Sequence, residues 1–137
     1  MTASMPRTIH IAAALIDDGQ GRLLLVRKAG TKYFMQAGGK IEPGETALFA
    51  LKRELHEEIG LSLGINHPVR YLGRFSAPAA NEQDHILQAE LYHIRLVFVP
   101  IISAEIEEAV WVTPGEATAL TLAPLTRDYI LKLSMSL

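Results

Sequence analysis

The sequence predicts an α/β fold, a mixed β-sheet layered against helices. Apolar, β-rich runs fall on both sides of one strongly amphipathic helix, and two further helical patterns close the chain. No segment repeats and no low-complexity linker divides the chain. At 137 residues it fits one domain, long enough to bury roughly 68% of its unfolded surface. Residues 1–6 are expected to be a flexible tail and residues 7–137 a single domain.

Thr8 to Ile16 is apolar and β-rich, and Asp17 to Gly21 supplies turn chemistry before Leu23 to Val26, which reads as a hairpin. Tyr33 to Met35 and Ile41 flank Gly38-Gly39, a short strand entering a tight loop. Glu42-Pro43-Gly44-Glu45 suits a type II turn, because proline presets φ at its second position and glycine accepts the positive φ at its third. That turn brings Glu45 to a helix start, where negative charge suits the macrodipole. Leu48, Leu51, Leu55 and Ile59 then recur at steps of three and four as a core stripe, and Gly60 supplies the C-cap. Val69 to Phe75, His85 to Pro100 and Ala109 to Val112 read as strands, the middle one interrupted or serving as a long edge. Thr113-Pro114 starts a short helix, and Pro124 to Leu133 carries a last one with Tyr129, Ile130 and Leu133 in phase.

Composition excludes several functions. With 49% hydrophobic and 20% charged residues the chain is an ordinary globular one. A net charge of -2 offers no basic footprint, so no stable nucleic-acid complex is expected. Cysteine is absent, which removes disulfides, thiolate metal sites and thiol nucleophiles and fits the cytoplasm. The apolar run Ile9 to Ile16 is too short for a membrane span. None of the five histidines has ligand spacing.

Glu54, Glu57 and Glu58 stand at i, i+3 and i+4, so their carboxylates leave one helix face beside the apolar stripe. Two such charges about 6 Å apart repel by roughly 3 kcal/mol at an effective dielectric near 20, so the cluster calls for a proton or a cation. Arg53 reaches Glu57 at i+4, but one guanidinium does not neutralise the set. Hard oxygen ligands in this number suit Mg²⁺ or Mn²⁺, with substrate phosphate completing the shell. A run of acids on a helix is usually a solvated face, and what raises this one above that reading is the spacing of Gly39, Glu45, Arg53, Glu54, Glu57, Glu58 and Gly60.

That pattern, Gly39, five residues, Glu45, seven residues, Arg53-Glu54-Leu55, one residue, Glu57-Glu58, one residue, Gly60-Leu61, resembles the Nudix hydrolase signature at every defining position. The preceding loop often reads Pro-Gly-Gly in that family and is Ala37-Gly38-Gly39 here. The resemblance implies a Nudix-type α/β/α sandwich that hydrolyses a nucleoside diphosphate linked to another moiety. It implies that Glu54, Glu57 and Glu58 bind divalent metal together with the carbonyl of Gly38. Glu45 would support the metal site, Arg53 would orient the glutamates, and Lys40 would meet a phosphate. Metal ions held this way polarise phosphoryl oxygens and activate water for in-line displacement, with no covalent nucleophile.

Glu54 is the favoured general base, with the loop acids Glu82 and Glu105 as alternatives. Arg27, Lys40 and Phe75 are the candidate substrate contacts. Tyr33, Phe34 and Tyr71 join Phe75 as aromatics able to stack on a base, although aromatics beside strands more often belong to the core. Asn81 or Gln83 would read the base edge, and Pro78 lies near where members of the resembled family that prefer ADP-ribose tend to carry a proline. Nucleoside triphosphates, dinucleoside polyphosphates and RNA 5′ ends all stay open as substrates. A nucleotide-sensing module of the same fold is the competing reading, disfavoured because every acid of the signature is kept. A related isomerase branch requires a cysteine that this chain lacks. The apolar segment Leu96 to Ile102 is as suited to a homodimer contact as to core.

Overall fold

The computed structural model describes residues 6–103 and 105–137. Of the expected tail, residues 1–5 lie outside the described residues. The chain forms β1 (Arg7–Asp17), β2 (Leu23–Lys28), β3 (Phe34–Met35), β4 (Ala37–Lys40), α1 (Ala47–Ile59), β5 (Arg70–Pro78), β6 (His85–Arg95), β7 (Ile106–Val112) and α2 (Pro114–Ala117). A π-helical turn, Thr126–Ile130, then runs directly into α3 (Leu131–Met135). Among the described residues no helix is long and apolar enough to cross a membrane.

β1 is the spine. It pairs in parallel with β6 from Arg7↔His85 to Asp17↔Arg95, and β6 pairs antiparallel with β5. On its other side β1 pairs with β4, from Ile11↔Lys40 to Ala14↔Ala37. Both faces of β1 are covered, which explains why it reads as an unbroken apolar run. Ala12, Ala14 and Ile16 pack with Leu51, Leu55 and Ile59 of α1, whereas Ala13 and Leu15 pack with Leu125, Ile130 and Leu131 of the C-terminal helical segment. Leu24 and Val26 against Leu23 and Leu25 repeat this division in β2. The result is the expected sandwich of one mixed sheet between helices.

Several expectations need correction. The β1–β2 hairpin pairs only at Asp17↔Leu23, because β4 takes the edge of β1 while β2 turns to β7 and β3. Gly38-Gly39 is part of a strand rather than a tight loop. β6 stops at Arg95 and is an interior strand between β1 and β5. Beyond it Leu96 and Phe98 pack on the core while Val97, Val99 and Ile101 face outward. This segment also closes the end of α1: the amides of Ile101 and Ser103 donate to the carbonyls of Ile59 and Glu58. Leu48 is exposed, and the core stripe of α1 is Ala50, Leu51, Leu55 and Ile59. The helix is capped by Thr46, whose hydroxyl accepts from the amide of Phe49, so Glu45 precedes the first turn instead of occupying it. Gly60 ends the helix at φ 67°, as its C-cap role requires.

Gly38 shows why the pair of glycines is needed at β4. Its φ is 152°, and a Cβ there would lie 2.2 Å from the Ala12 carbonyl oxygen and 2.7 Å from Ala13 Cα. Both obstacles are backbone of the spine strand, which has no room to yield. Gly38→Ala is therefore expected to cost about 3 kcal/mol, read from the midpoint of a urea unfolding curve, whereas Gly64→Ala, with nothing near its Cβ, is expected to change stability by less than about 1 kcal/mol.

Candidate active site

The site is built where α1 crosses the end of β4. Glu58 belongs to the inner face of the helix and is only 6% exposed. Its Oε1 accepts a hydrogen bond from the amide of Gly38 at 3.0 Å. Burial, reinforced by the nearby charges of Glu54 and Glu105, pushes its carboxyl up to about 7, against the Gly38 hydrogen bond and the charge of Lys28. One turn earlier, Glu54 lies over Gly39 so closely that a Cβ on that glycine would stand 2.5 Å from the glutamate Cδ. The two glycines thus have separate tasks. Gly38 lets β4 approach β1, and Gly39 lets a carboxylate approach β4.

Arg53 organises the acids. Its Nε and Nη2 donate to the two carboxylate oxygens of Glu45 at 2.8 Å each, a forked pair, and its Nη1 donates to Glu54 Oε1 at 2.6 Å. Nη2 also reaches the carbonyl of Lys40 at 3.1 Å. Glu57, expected as the i+4 partner, is 3.8 Å away and half exposed. The strong partner is Glu45, which the turn at Gly44 (φ 83°) brings alongside. Arg53, aided by the amide of Glu42, holds the Glu45 carboxyl down at about 2. Glu45 is therefore fully ionised at neutral pH, and its charge is spent on the arginine.

The donor set suits a hard dication in kind and location. Glu54, Glu57 and Glu58 share one helix face, Glu54 lying over Gly39 and Glu58 meeting the amide of Gly38, whose own carbonyl is a further oxygen able to join them. Among the described residues no three such side chains converge as they stand. Glu58 is turned to the Gly38 amide and Glu54 to Arg53, while Glu57 reaches outward. Rotation of Glu54 and Glu57, both on flexible stems, is needed to gather them.

A cleft of about 130 Å³ opens beside these acids, lined by Gly38, Gly39 and Lys40 at one end and by Ile9, Ile11, Met35 and Leu87 along its walls. Of the residues singled out in the sequence, Lys40, Pro78, Asn81 and Glu82 line it, Glu82 from the β5–β6 connection. Arg27 and Phe75 do not line it. Arg27 is engaged by Glu108 at 2.9 Å and by the carbonyl of Thr31, and Phe75 packs on Tyr129 with ring centroids 5.4 Å apart. Tyr71 is held by Glu90 through its hydroxyl. Sequence reading missed Lys28, Gln36 and Thr126, which all line the cleft. Lys28 follows Arg27 across a register shift in β2, so strand alternation did not indicate which of the two faces the site.

Comparison with known proteins agrees with this geometry. The NUDIX domain family model matches residues 6–133. The chain is 31% identical to the CTP pyrophosphohydrolase of Escherichia coli over 125 residues, covering 86% of this chain and 85% of that protein. It is 41% identical to the 8-oxo-dGTP diphosphatase of Haemophilus influenzae over 59 residues, 40% of this chain and 43% of that one. Among solved structures, the E. coli ORF135 protein superposes with a TM-score of 0.69 at 29% identity, covering 96% of this chain and 91% of the other. The E. coli dihydroneopterin triphosphate pyrophosphohydrolase superposes at 0.78 with 16% identity over 98% of this chain and all of its own, a likeness of fold. The chain belongs to the Nudix family, and its family match and named relatives make it a Nudix pyrophosphohydrolase.

Because the folded chain holds the proton of Glu58 more tightly than the unfolded chain does, the stability linked to it is full below pH 4.5 and is lost as pH rises through about 7. In chelator, wild-type protein is expected to lose on the order of 2 kcal/mol relative to Glu58→Gln between pH 5 and pH 8, as measured by urea unfolding at each pH.

Proposed function

We propose that this Nudix pyrophosphohydrolase cleaves the pyrophosphate linkage of a nucleoside diphosphate derivative, using Mg²⁺ or Mn²⁺ held by Glu54, Glu57, Glu58 and the carbonyl of Gly38. The observation that carries this reading is the placement of Glu58: a buried carboxylate on the Gly38 amide, sharing a helix face with two further acids, against the glycine pair that lines an apolar cleft. A structural ion pair would supply a fixed cation to such a group. Here Lys28 is the cation whose charge acts on Glu58, and among the described residues it forms no ion pair with it, while Arg53 is committed to Glu45 and Glu54. When bound, the metal supplies the positive charge that polarises phosphoryl oxygens and offsets charge developing on the leaving group.

The remaining work falls to the chain. Gly38 and Gly39 bring backbone within reach of the diphosphate, and Lys40 and Lys28 offer ammonium groups from either side of the cleft. Arg53, locked by Glu45, fixes the helix face and keeps Glu54 oriented over Gly39. Glu54 is assigned as the base that takes a proton from the attacking water, since of the two acids that lie against β4 it is the less buried. Glu82 on the opposite wall is the alternative; Glu105 is drawn to Lys28 at 4.0 Å. Similarity along most of its length to a CTP pyrophosphohydrolase favours a nucleoside triphosphate over a capped RNA or a dinucleotide. The absence of cysteine is in keeping with work in the cytoplasm.

The test is a nucleotide panel assayed with and without Mg²⁺, with both products identified. Metal-dependent release of a nucleoside monophosphate is expected. Glu57→Gln and Glu58→Gln are each expected to lower turnover by at least about 100-fold while the circular dichroism spectrum stays unchanged. Full turnover in either variant, or in chelator, would overturn the assignment.

A further inference from the structure

The deep end of the cleft carries a polar group that the hydrolytic chemistry does not use. Gln36 sits between β3 and β4, is 6% exposed, and lines the cleft together with Thr126. Its Oε1 accepts a hydrogen bond from Thr126 Oγ1 at 2.8 Å. Thr126 is itself wholly buried, at the first residue of the π-helical turn. With the oxygen engaged, the amide Nε2 is left as a donor, and it has no partner among the described residues. Ile9, Ile11, Ala13, Met35 and Leu125 of the cleft are apolar, and the acceptors it does hold, Asn81 and Glu82, make no hydrogen bond to Gln36 among the described residues. A buried donor in an apolar wall is disfavoured unless a ligand completes it.

Position decides what that ligand group is. Gln36 precedes Gly38 by two residues, so along the chain it lies roughly 7 Å from the glycine backbone at the phosphate end. A nucleotide whose phosphates lie at Gly38-Gly39 therefore directs its base toward Gln36. The group that leads into the deep end is the one farthest from the glycosidic bond, the substituent at position 4 of a pyrimidine or position 6 of a purine. A side chain that presents only N–H there accepts an oxo group and confronts an amino group with a second donor.

We propose that Gln36 Nε2 reads an exocyclic oxygen on the far edge of the nucleobase, with Thr126 a positioning residue that donates to Oε1 and leaves the N–H end of the amide to the ligand. The chain thereby selects keto bases over their amino counterparts. This inference rests on the proposed nucleotide hydrolysis for the direction in which the substrate enters.

The experiment compares the matched pairs ITP with ATP and UTP with CTP in wild type, Gln36→Met, Gln36→Glu and Thr126→Val, each with Mg²⁺. Wild type is expected to favour the oxo member of at least one pair by 10-fold or more in kcat/KM. Gln36→Met, similar in length but without a donor, is expected to remove that preference by raising KM for the oxo nucleotide 10- to 100-fold, with kcat within about two-fold. Gln36→Glu, which presents an acceptor when ionised, is expected to shift the preference toward the amino member. Thr126→Val is expected to weaken the preference without abolishing it. No preference in wild type, or a Gln36→Met effect equal for all four nucleotides, would overturn the inference. Calorimetry with IMP, AMP, UMP and CMP in metal-free buffer separates this inference from the hydrolytic reading. Gln36-dependent selectivity in binding without any turnover would retire the hydrolytic reading and keep this one. Turnover whose base preference ignores Gln36 would do the reverse.

Discussion

One contact joins the two parts of the site: the buried carboxylate of Glu58 on the amide of Gly38. It ties the inner face of α1 to the strand that borders the spine of the sheet. A charged group accepts this position only if the fold holds it there, and the fold does so with the apolar residues that flank it on the helix, Leu55 and Ile59, both fully buried. Core packing thus forces a carboxylate into a place where its charge is poorly solvated. The raised proton affinity of Glu58 follows from that placement more than from the number of acids.

Arg53 divides the acids into two kinds. Glu45 receives both arms of the fork and becomes a structural anion, fixing the turn at Gly44 against the helix. Glu54 receives one nitrogen and keeps the rest of its carboxylate free above Gly39. Glu57 is left to solvent. Three glutamates of the same chemistry therefore differ in burial and in partner, and it is this difference that separates orientation, proton transfer and ligation in the proposed mechanism.

The cleft combines the polar, glycine-rich stretch Gln36 to Lys40 with apolar walls from Ile9, Ile11, Met35 and Leu87. The signature residues were legible because their constraint is local: helix geometry alone puts Glu54, Glu57 and Glu58 on one face. The strand character of Ala37–Lys40 was not legible, because glycine is disfavoured in strands and only the approach of β1 explains its use. Arg27 and Phe75 were plausible by composition, yet Glu108 on the neighbouring strand and Tyr129 in the C-terminal helical segment draw them elsewhere. Those partners are 81 and 54 positions distant in the chain, beyond any local pattern.

By itself the sequence determined the amphipathic helix, its glycine stop, the turn that leads into it and the shared face of its acids, since each follows from periodicity or backbone preference within a few residues. It also determined the layered α/β class, through apolar runs long enough to be covered on both faces. Only the tertiary structure decided which glutamate is buried, that Glu45 rather than Glu57 holds Arg53, and that Gln36 and Thr126 meet at the floor of the cleft. Burial and long-range pairing set those outcomes, and both depend on where distant strands and helices come to rest against one another.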